Sequence, residues 1–295
     1  MKILQATVTL GVLVIFLGGC EKTPEPVASV KIEPTQIHLP YPGSVTIEMD
    51  WEMQASLDDI STPPLVFVHL LDDEGSVERT FDHVLPFAWQ PGTSESYELT
   101  LYQSALAPPM DPGIYRLSVG LYEVGGQRWS LSGSGEEVAK LEYLLATVDT
   151  QSDPSAVPMF YFSPSWLPLE AGTDVQVLGR RWLTDEGVIR VAEVPAAGRV
   201  GLWMEISEAI AQVEEMSLLE GETEPRIDIT STCGGQEDSV AGYGVHEIQV
   251  TVLATEDGSL PEECEIVLRP NYQVVEVATL ARRSVGLQIL TWSND

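Results

Sequence analysis

The chain is short of positive charge. Its 295 residues hold 15 Lys and Arg against 45 Asp and Glu, a formal charge of −30. Lysine is the scarcest, at Lys2, Lys22, Lys31 and Lys140 alone. Nucleic-acid phosphates and anionic headgroups are held by clustered cations, so this balance excludes both as charge-driven partners. Solubility in a saline medium is the ordinary use of such an acidic surface; a bound cation or a basic partner is the functional one. Cysteine is nearly absent, with Cys20, Cys233 and Cys264 and no Cys-x-x-Cys pair, which removes the common zinc and dithiol frameworks. Also missing are Gly-x-Ser-x-Gly, His-Glu-x-x-His and a lysine-bearing phosphate loop. Ser132-Gly133-Ser134-Gly135-Glu136 has the small residues of such a loop without the lysine, and reads as a turn. No catalytic residue is assigned, and the expectation is a protein that is not an enzyme.

What is present starts at the N-terminus. A basic residue, Lys2, precedes an apolar run from Ile3 to Leu17, with small residues after it. The run is shorter than the ~20 residues that span a bilayer, and its layout is that of an export signal. Leu17-Gly18-Gly19-Cys20 resembles the cleavage site of a bacterial lipoprotein signal. That resemblance implies removal of residues 1–19 and acylation of Cys20, with a diacylglycerol and palmitate-type chains holding the protein to a membrane. Residue 21 is Glu, not the aspartate tied to inner-membrane retention in enteric bacteria, which points to the outer membrane or cell surface. Loss of Lys2 leaves 14 basic residues against 45 acidic, or −31. With Cys20 lipidated, Cys233 and Cys264 form an even pair in an oxidising compartment, where a disulfide is the default.

The remainder reads as strand and turn. A short Pro-containing tether, 20–28, leads into a first domain, 29–148. In Ser44 to Met53, Val45, Ile47, Met49 and Trp51 alternate onto one face. Leu65 to Leu71 is a denser apolar strand; Asp72-Asp73-Glu74-Gly75-Ser76 turns it, and Val77 to Val84 returns. Tyr97 to Tyr102, Ile114 to Tyr122, Arg128 to Leu131 and Val138 to Val148 follow at spacings typical of a β-sandwich. Residues 149–157, polar with two prolines, form the expected linker. The second domain, 158–295, offers strands at Val175 to Trp182, Gly187 to Val194, Val200 to Ile206, Val245 to Leu253, Cys264 to Leu268 and Val285 to Trp292. Ser207 to Leu219, with Ile210, Val213 and Met216, reads instead as one or two turns of amphipathic helix. The expected architecture is all-β: two sandwich domains, Ig-like and jelly-roll-like, in tandem behind a cleaved lipoprotein signal peptide.

Phe67-Val68-His69-Leu70, Asp82-His83, Trp89-Gln90-Pro91-Gly92 and the run from Pro112 to Tyr122 occur in an order that resembles a β-sandwich module of bacterial proteins. That module is often attached to membrane-embedded glycosyltransferase-like enzymes, whose multi-span portion is missing from this sequence. No catalytic set comes with it. Arg181-Trp182 and Arg283 to Ile289 give residues 158–295 a fainter resemblance to a jelly-roll, carbohydrate-binding-like domain.

Candidate ligand residues follow from exposure. Trp89 in a turn and Trp166 after Phe160-Tyr161-Phe162 lie where loops can present a ring face to a sugar. Trp51, Trp182 and Trp203 lie on alternating strands and are expected in the core. Arg181 and Arg283, with Arg180 and Arg282, make a cationic spot if the early and last strands of the second domain are neighbours. No metal site is assigned. A hairpin turning near Gly75 places His69 opposite Thr80 and His83 opposite Val66, which separates the two imidazoles. No cofactor is expected; calcium on loop acids such as Asp72-Asp73-Glu74 or Glu222-Thr223-Glu224 is the alternative, although neither has EF-hand spacing. These readings converge on a lipid-anchored envelope protein acting as a non-catalytic binding or scaffolding module for a glycan or an envelope protein. A structural subunit with no small ligand is the alternative, and a glycan-active hydrolase with two facing carboxylates a more remote one.

Overall fold

The computed structural model describes residues 24–57, 63–123, 125, 127–133, 135–171, 179–208, 215–219, 221–255, 257–275 and 282–294. The signal segment, Cys20 and the start of the tether lie outside them. The described residues are overwhelmingly strand, arranged as β-sandwiches about two apolar cores.

In the N-terminal half, a four-stranded sheet runs Leu131–Ser132, Ala28–Glu33, Gly43–Met53, Ser94–Gln103. It faces a larger sheet whose centre is Ile114–Tyr122, flanked by Leu65–Leu71 and Glu142–Asp149. Ile47, Met49 and Trp51 enter the core from one sheet, and Val68, Leu117 and Val119 from the other. Each is essentially removed from water, which stabilises the fold by roughly 1.5–3 kcal/mol per large aliphatic side chain. Gly75 ends the hairpin with φ +90, a conformation that glycine adopts without a Cβ penalty. His69 then pairs with Thr80 and Val66 with His83, the register expected from the sequence.

Two expected strands are each split. Arg128–Trp129 pairs with Ile114–Tyr122, whereas Leu131–Ser132 pairs with Ala28–Glu33, so the chain changes sheet at Ser130. Glu137–Ala139 and Glu142–Asp149 fold back on each other around Leu141, which has φ 57.

In the C-terminal half, one five-stranded sheet is ordered Met159–Phe162, Gly187–Ala192, Glu263–Pro270, Arg226–Ser231, Glu237–Ala241. A second runs Glu170–Ala171, Gly179–Trp182, Gly286–Ser293, Gly198–Ile206, Gly244–Val252. Cys233 and Cys264 are joined with Cα atoms 4.9 Å apart and a sequence separation of 31. The bridge ties the end of Arg226–Ser231 to its neighbour Glu263–Pro270. Glu215–Leu218 is a strand paired with Tyr272–Val275, so the helix expected over Ser207 to Leu219 does not extend through these residues. From that strand Leu218 packs against the C-terminal core. Residues 209–214 lie outside the described residues.

The halves are in direct contact. Gly286–Trp292 is buried along its whole length. Ala105 N–H donates to Leu290 O at 2.8 Å, and Leu290 N–H donates to Ser104 Oγ at 3.1 Å. Leu106 belongs to the C-terminal core, although it precedes Glu142–Asp149, a strand of the other half. Residues 149–157 are not a free linker: Thr150 is buried and exchanges hydrogen bonds with Gly113, and Pro154–Ala156 forms a 3-10 turn capped by Asp153.

Candidate functional site

Four of the motif residues of the N-terminal half, Phe67, His69, Asp82 and Ser118, meet on the outer face of the larger sheet. His69 Nδ1 lies 3.1 Å from Glu142 Oε1, which also accepts from Ser118 Oγ at 2.6 Å. The other imidazole nitrogen is 3.6 Å from Asp82. Burial alone would raise the Glu142 pKa, but hydrogen bonds from His69 and Ser118 outweigh it and hold the carboxyl below its ordinary value. Asp82 moves the other way, lifted by desolvation that His69 only partly offsets. Phe67 stacks on His69 with centroids 4.8 Å apart, and the Arg128 guanidinium covers the ring at 4.6 Å. A Cβ at residue 120 would fall inside the Phe67 ring, which explains the glycine in the Val119-Gly120-Leu121 run. Ser118 is fully buried, and its hydroxyl donates to Glu142. The arrangement ties three adjacent strands together through side chains. Among the described residues, no group of three or more His, Cys, Asp or Glu is placed to hold a metal ion.

The aromatic candidates differ from expectation in their exposure. Trp166 is 5% exposed, bridged to Leu183 and packed edge-on against Phe162 at 5.6 Å. It presents no ring face, because Phe160-Tyr161-Phe162 is a strand that folds it inward rather than a loop. Trp89 is half-buried, with Nε1 donating to Ala55 O at 2.9 Å, and its ring packs on the first core. Trp51 and Trp182 are buried as expected, whereas Trp203 stands on an outer face near Tyr102 of the other half, centroids 6.1 Å apart.

The early and last strands of the C-terminal half are neighbours, as the cationic spot requires: Arg181 pairs with Leu287 and Trp182 with Gly286. The arginines nonetheless divide. Arg180 and Arg283 lie against the Trp182 ring at 5.3 and 5.5 Å and pair with Glu205 and Glu170 respectively. Arg181 turns to the opposite face, where it lies 4.5 Å from the Phe162 centroid and donates to Leu167 O. Strand alternation separates them.

The structure gathers rings and polar groups elsewhere, in an open cleft of about 490 Å³ between the halves. Tyr41, Phe160 and Phe162 supply the aromatic surface, and Pro109 and Pro112 an apolar wall. Asp111, Thr150 and Ser152 supply the polar groups. Ser152 Oγ accepts from Tyr41 N–H at 2.6 Å, and Tyr41 Oη donates to Ala107 O at 2.9 Å, so the tyrosine ring is held from both ends. Trp166 and Arg181 stand behind Phe162 and buttress it. The signal for this site lay in Pro108-Pro109-Met110-Asp111-Pro112 and in Met159–Phe162, each of which looks unremarkable until the two meet. A wider hollow of about 1090 Å³ runs along Ala28–Glu33 and residues 144–147, but no aromatic ring lines it.

No family model matches this chain. No curated protein matches it. Among solved structures, it is similar to that of the M60 catalytic domain with the CBM51-1 and CBM51-2 domains from Clostridium perfringens ZmpB. The TM-score is 0.31 at 8% identity; the match covers 92% of this chain and 31% of that one. The chain thus spans about a third of that protein's resolved length, and a likeness of this size carries no argument about ligand or chemistry.

Proposed function

We propose that this protein is a lipid-anchored, non-catalytic binding module of a bacterial cell envelope, built as two sandwich domains whose ligand site is the cleft between them. The observation that supports this reading is the convergence of Tyr41, Phe160 and Phe162 with Asp111, Thr150 and Ser152 on one concave surface. Apolar walls with a few oriented polar groups at a junction are the usual anatomy of a ligand site. The ligand classes are a glycan and an envelope protein. Cys20 provides the membrane attachment, at the outer membrane or cell surface.

Two measurements on the full-length chain test the two parts. Metabolic labelling with a radioactive fatty acid is expected to mark the wild type and not Cys20→Ala; label retained by the variant removes the anchor. Thr150 and Ser152 are backbone-bonded, so the ligand test falls on Phe160→Ala, which is expected to weaken glycan-array or envelope-protein capture about tenfold or more. Capture unchanged by that substitution, in a folded variant, places the ligand elsewhere.

A further inference from the structure

This inference rests on the cleft being the ligand site and concerns what enters it. Met159–Phe162 is the outermost strand of its sheet, paired with Gly187–Ala192 on one side and with no strand on the other among the described residues. Ser163 N–H donates to Val188 O at 2.9 Å, and the register pairs Phe162 with Ile189 and Tyr161 with Arg190. Hydrogen-bonded and non-bonded pairs alternate in an antiparallel ladder. Residues 159, 161 and 163 therefore bond to Gly187–Ala192 and its continuation. The backbone N–H and C=O of Phe160 and Phe162 face the opposite way, along the free edge, and both residues line the cleft.

Backbone groups two residues apart repeat at about 6.8 Å, the repeat of a partner strand. Edge strands are normally blunted by lysine, proline or an inward charge. Met159-Phe160-Tyr161-Phe162 contains none of these, and Met159 and Tyr161 are 49% and 47% exposed on the outer face. Across the cleft, Pro109 and Pro112 have no N–H to donate and present apolar rings. Among the described residues lining the cleft, Asp111 is the one with a charged side chain; it is exposed, on a chain with a formal charge of −30.

We propose that an extended segment of a partner protein, carrying lysine or arginine among alternating apolar residues, adds to the free edge of Met159–Phe162 as a further strand. Its main chain pairs with Phe160 and Phe162, its apolar side chains lie against the prolines, and its cation reaches Asp111. Strand addition draws affinity from the backbone and selectivity from alternate side chains. A second copy of this chain brings the same −30 and the same acid, and like charges oppose that pairing.

The test uses the full-length chain and a short acetylated peptide alternating valine with lysine and threonine. Binding is expected to slow amide exchange at Phe160 and Phe162. Methylating the peptide nitrogens that face the edge is expected to weaken binding about tenfold, and methylating the other register to change it little. Phe160→Pro removes an edge N–H without breaking a bond to Gly187–Ala192, and is expected to lose binding. Phe160→Leu removes only the ring and is expected to keep binding within about threefold. No peptide binding, or equal effects of the two methylation registers, overturns the proposal. So does chitohexaose binding that Phe160→Leu abolishes, which assigns the cleft to a sugar and leaves the binding-module reading standing. Concentration-dependent dimers that protect the same two amides assign the edge to a second copy and also overturn it.

Discussion

At the scale of single residues, the polar network of the N-terminal half governs the response to acid. His83 Nδ1 donates to Phe81 O at 2.8 Å, Nε2 shares a hydrogen bond with Tyr97 Oη at 2.6 Å, and burial lowers its pKa. The unfolded chain takes up that proton near 6.5, so His83 contributes stability above this pH that is lost as pH falls through it. Glu142, also lowered, contributes stability above its unfolded value of 4.5 and loses it below. Asp82, raised, works against Glu142 in the same acidic range. The histidine's contribution is read between pH 7.5 and 5, the range that spans its unfolded value. The Tm difference between wild type and His83→Gln is expected to shrink steadily across that window; a difference independent of pH rejects the assignment. The positions of both histidines were legible from the turn at Gly75, because a hairpin with a known turn fixes which residues face each other. That Glu142 meets His69 was not, since it depends on a third strand 73 residues away.

At the scale of elements, strands with alternating apolar residues, such as Gly43–Met53, or dense ones, such as Leu65–Leu71, were readable nearly to the residue. Arg226–Ser231 was not, although Ile227 and Ile229 are fully buried, because two apolar residues in six barely rise above a loop pattern. The rings from Phe160 to Trp166 advertise an exposed loop, and only pairing of Met159–Phe162 with Gly187–Ala192 turns Trp166 inward. Cys233–Cys264 staples the Arg226–Ser231 strand to its neighbour. Removing the bridge with Cys233→Ser and Cys264→Ser together is expected to cost about 3 kcal/mol through the unfolded chain's entropy. Calorimetry would register this as a fall in Tm of roughly 6–12 °C, matched by the wild type in reductant; no change in either sample rules the bridge out as a stabilising element.

At the scale of the whole molecule, the halves share more than a covalent connection. Leu106 comes from the N-terminal half yet packs in the C-terminal core, and Ala105 and Ser104 bond the edge of Gly286–Ser293. Leu106→Ala is expected to cost about 2–5 kcal/mol, as other buried leucine truncations do. Amide exchange is expected to accelerate at Leu202 and Leu290, on the far side of the junction, before it does at Val119. Acceleration confined to the N-terminal half would show that Leu106 belongs to the wrong core. The same junction forms the cleft, so a substitution that loosens it is expected to weaken ligand capture without touching a lining residue.

Charge, cysteine economy, the export-like N-terminus and the strand-and-turn rhythm are local properties, and the sequence by itself determined them. It also determined the Cys233–Cys264 pairing once Cys20 is set aside, and the hairpin register around His69. Tertiary structure alone decided that Trp166 is buried, that Arg181 and Arg283 point to opposite faces, and that Gly286–Ser293 is covered by the other half. It alone brought Pro109, Pro112 and Met159–Phe162 together around a cleft. The reason is physical: alternation along one strand is written in neighbouring residues, whereas the face a strand shows, and what covers it, depend on segments a hundred residues away.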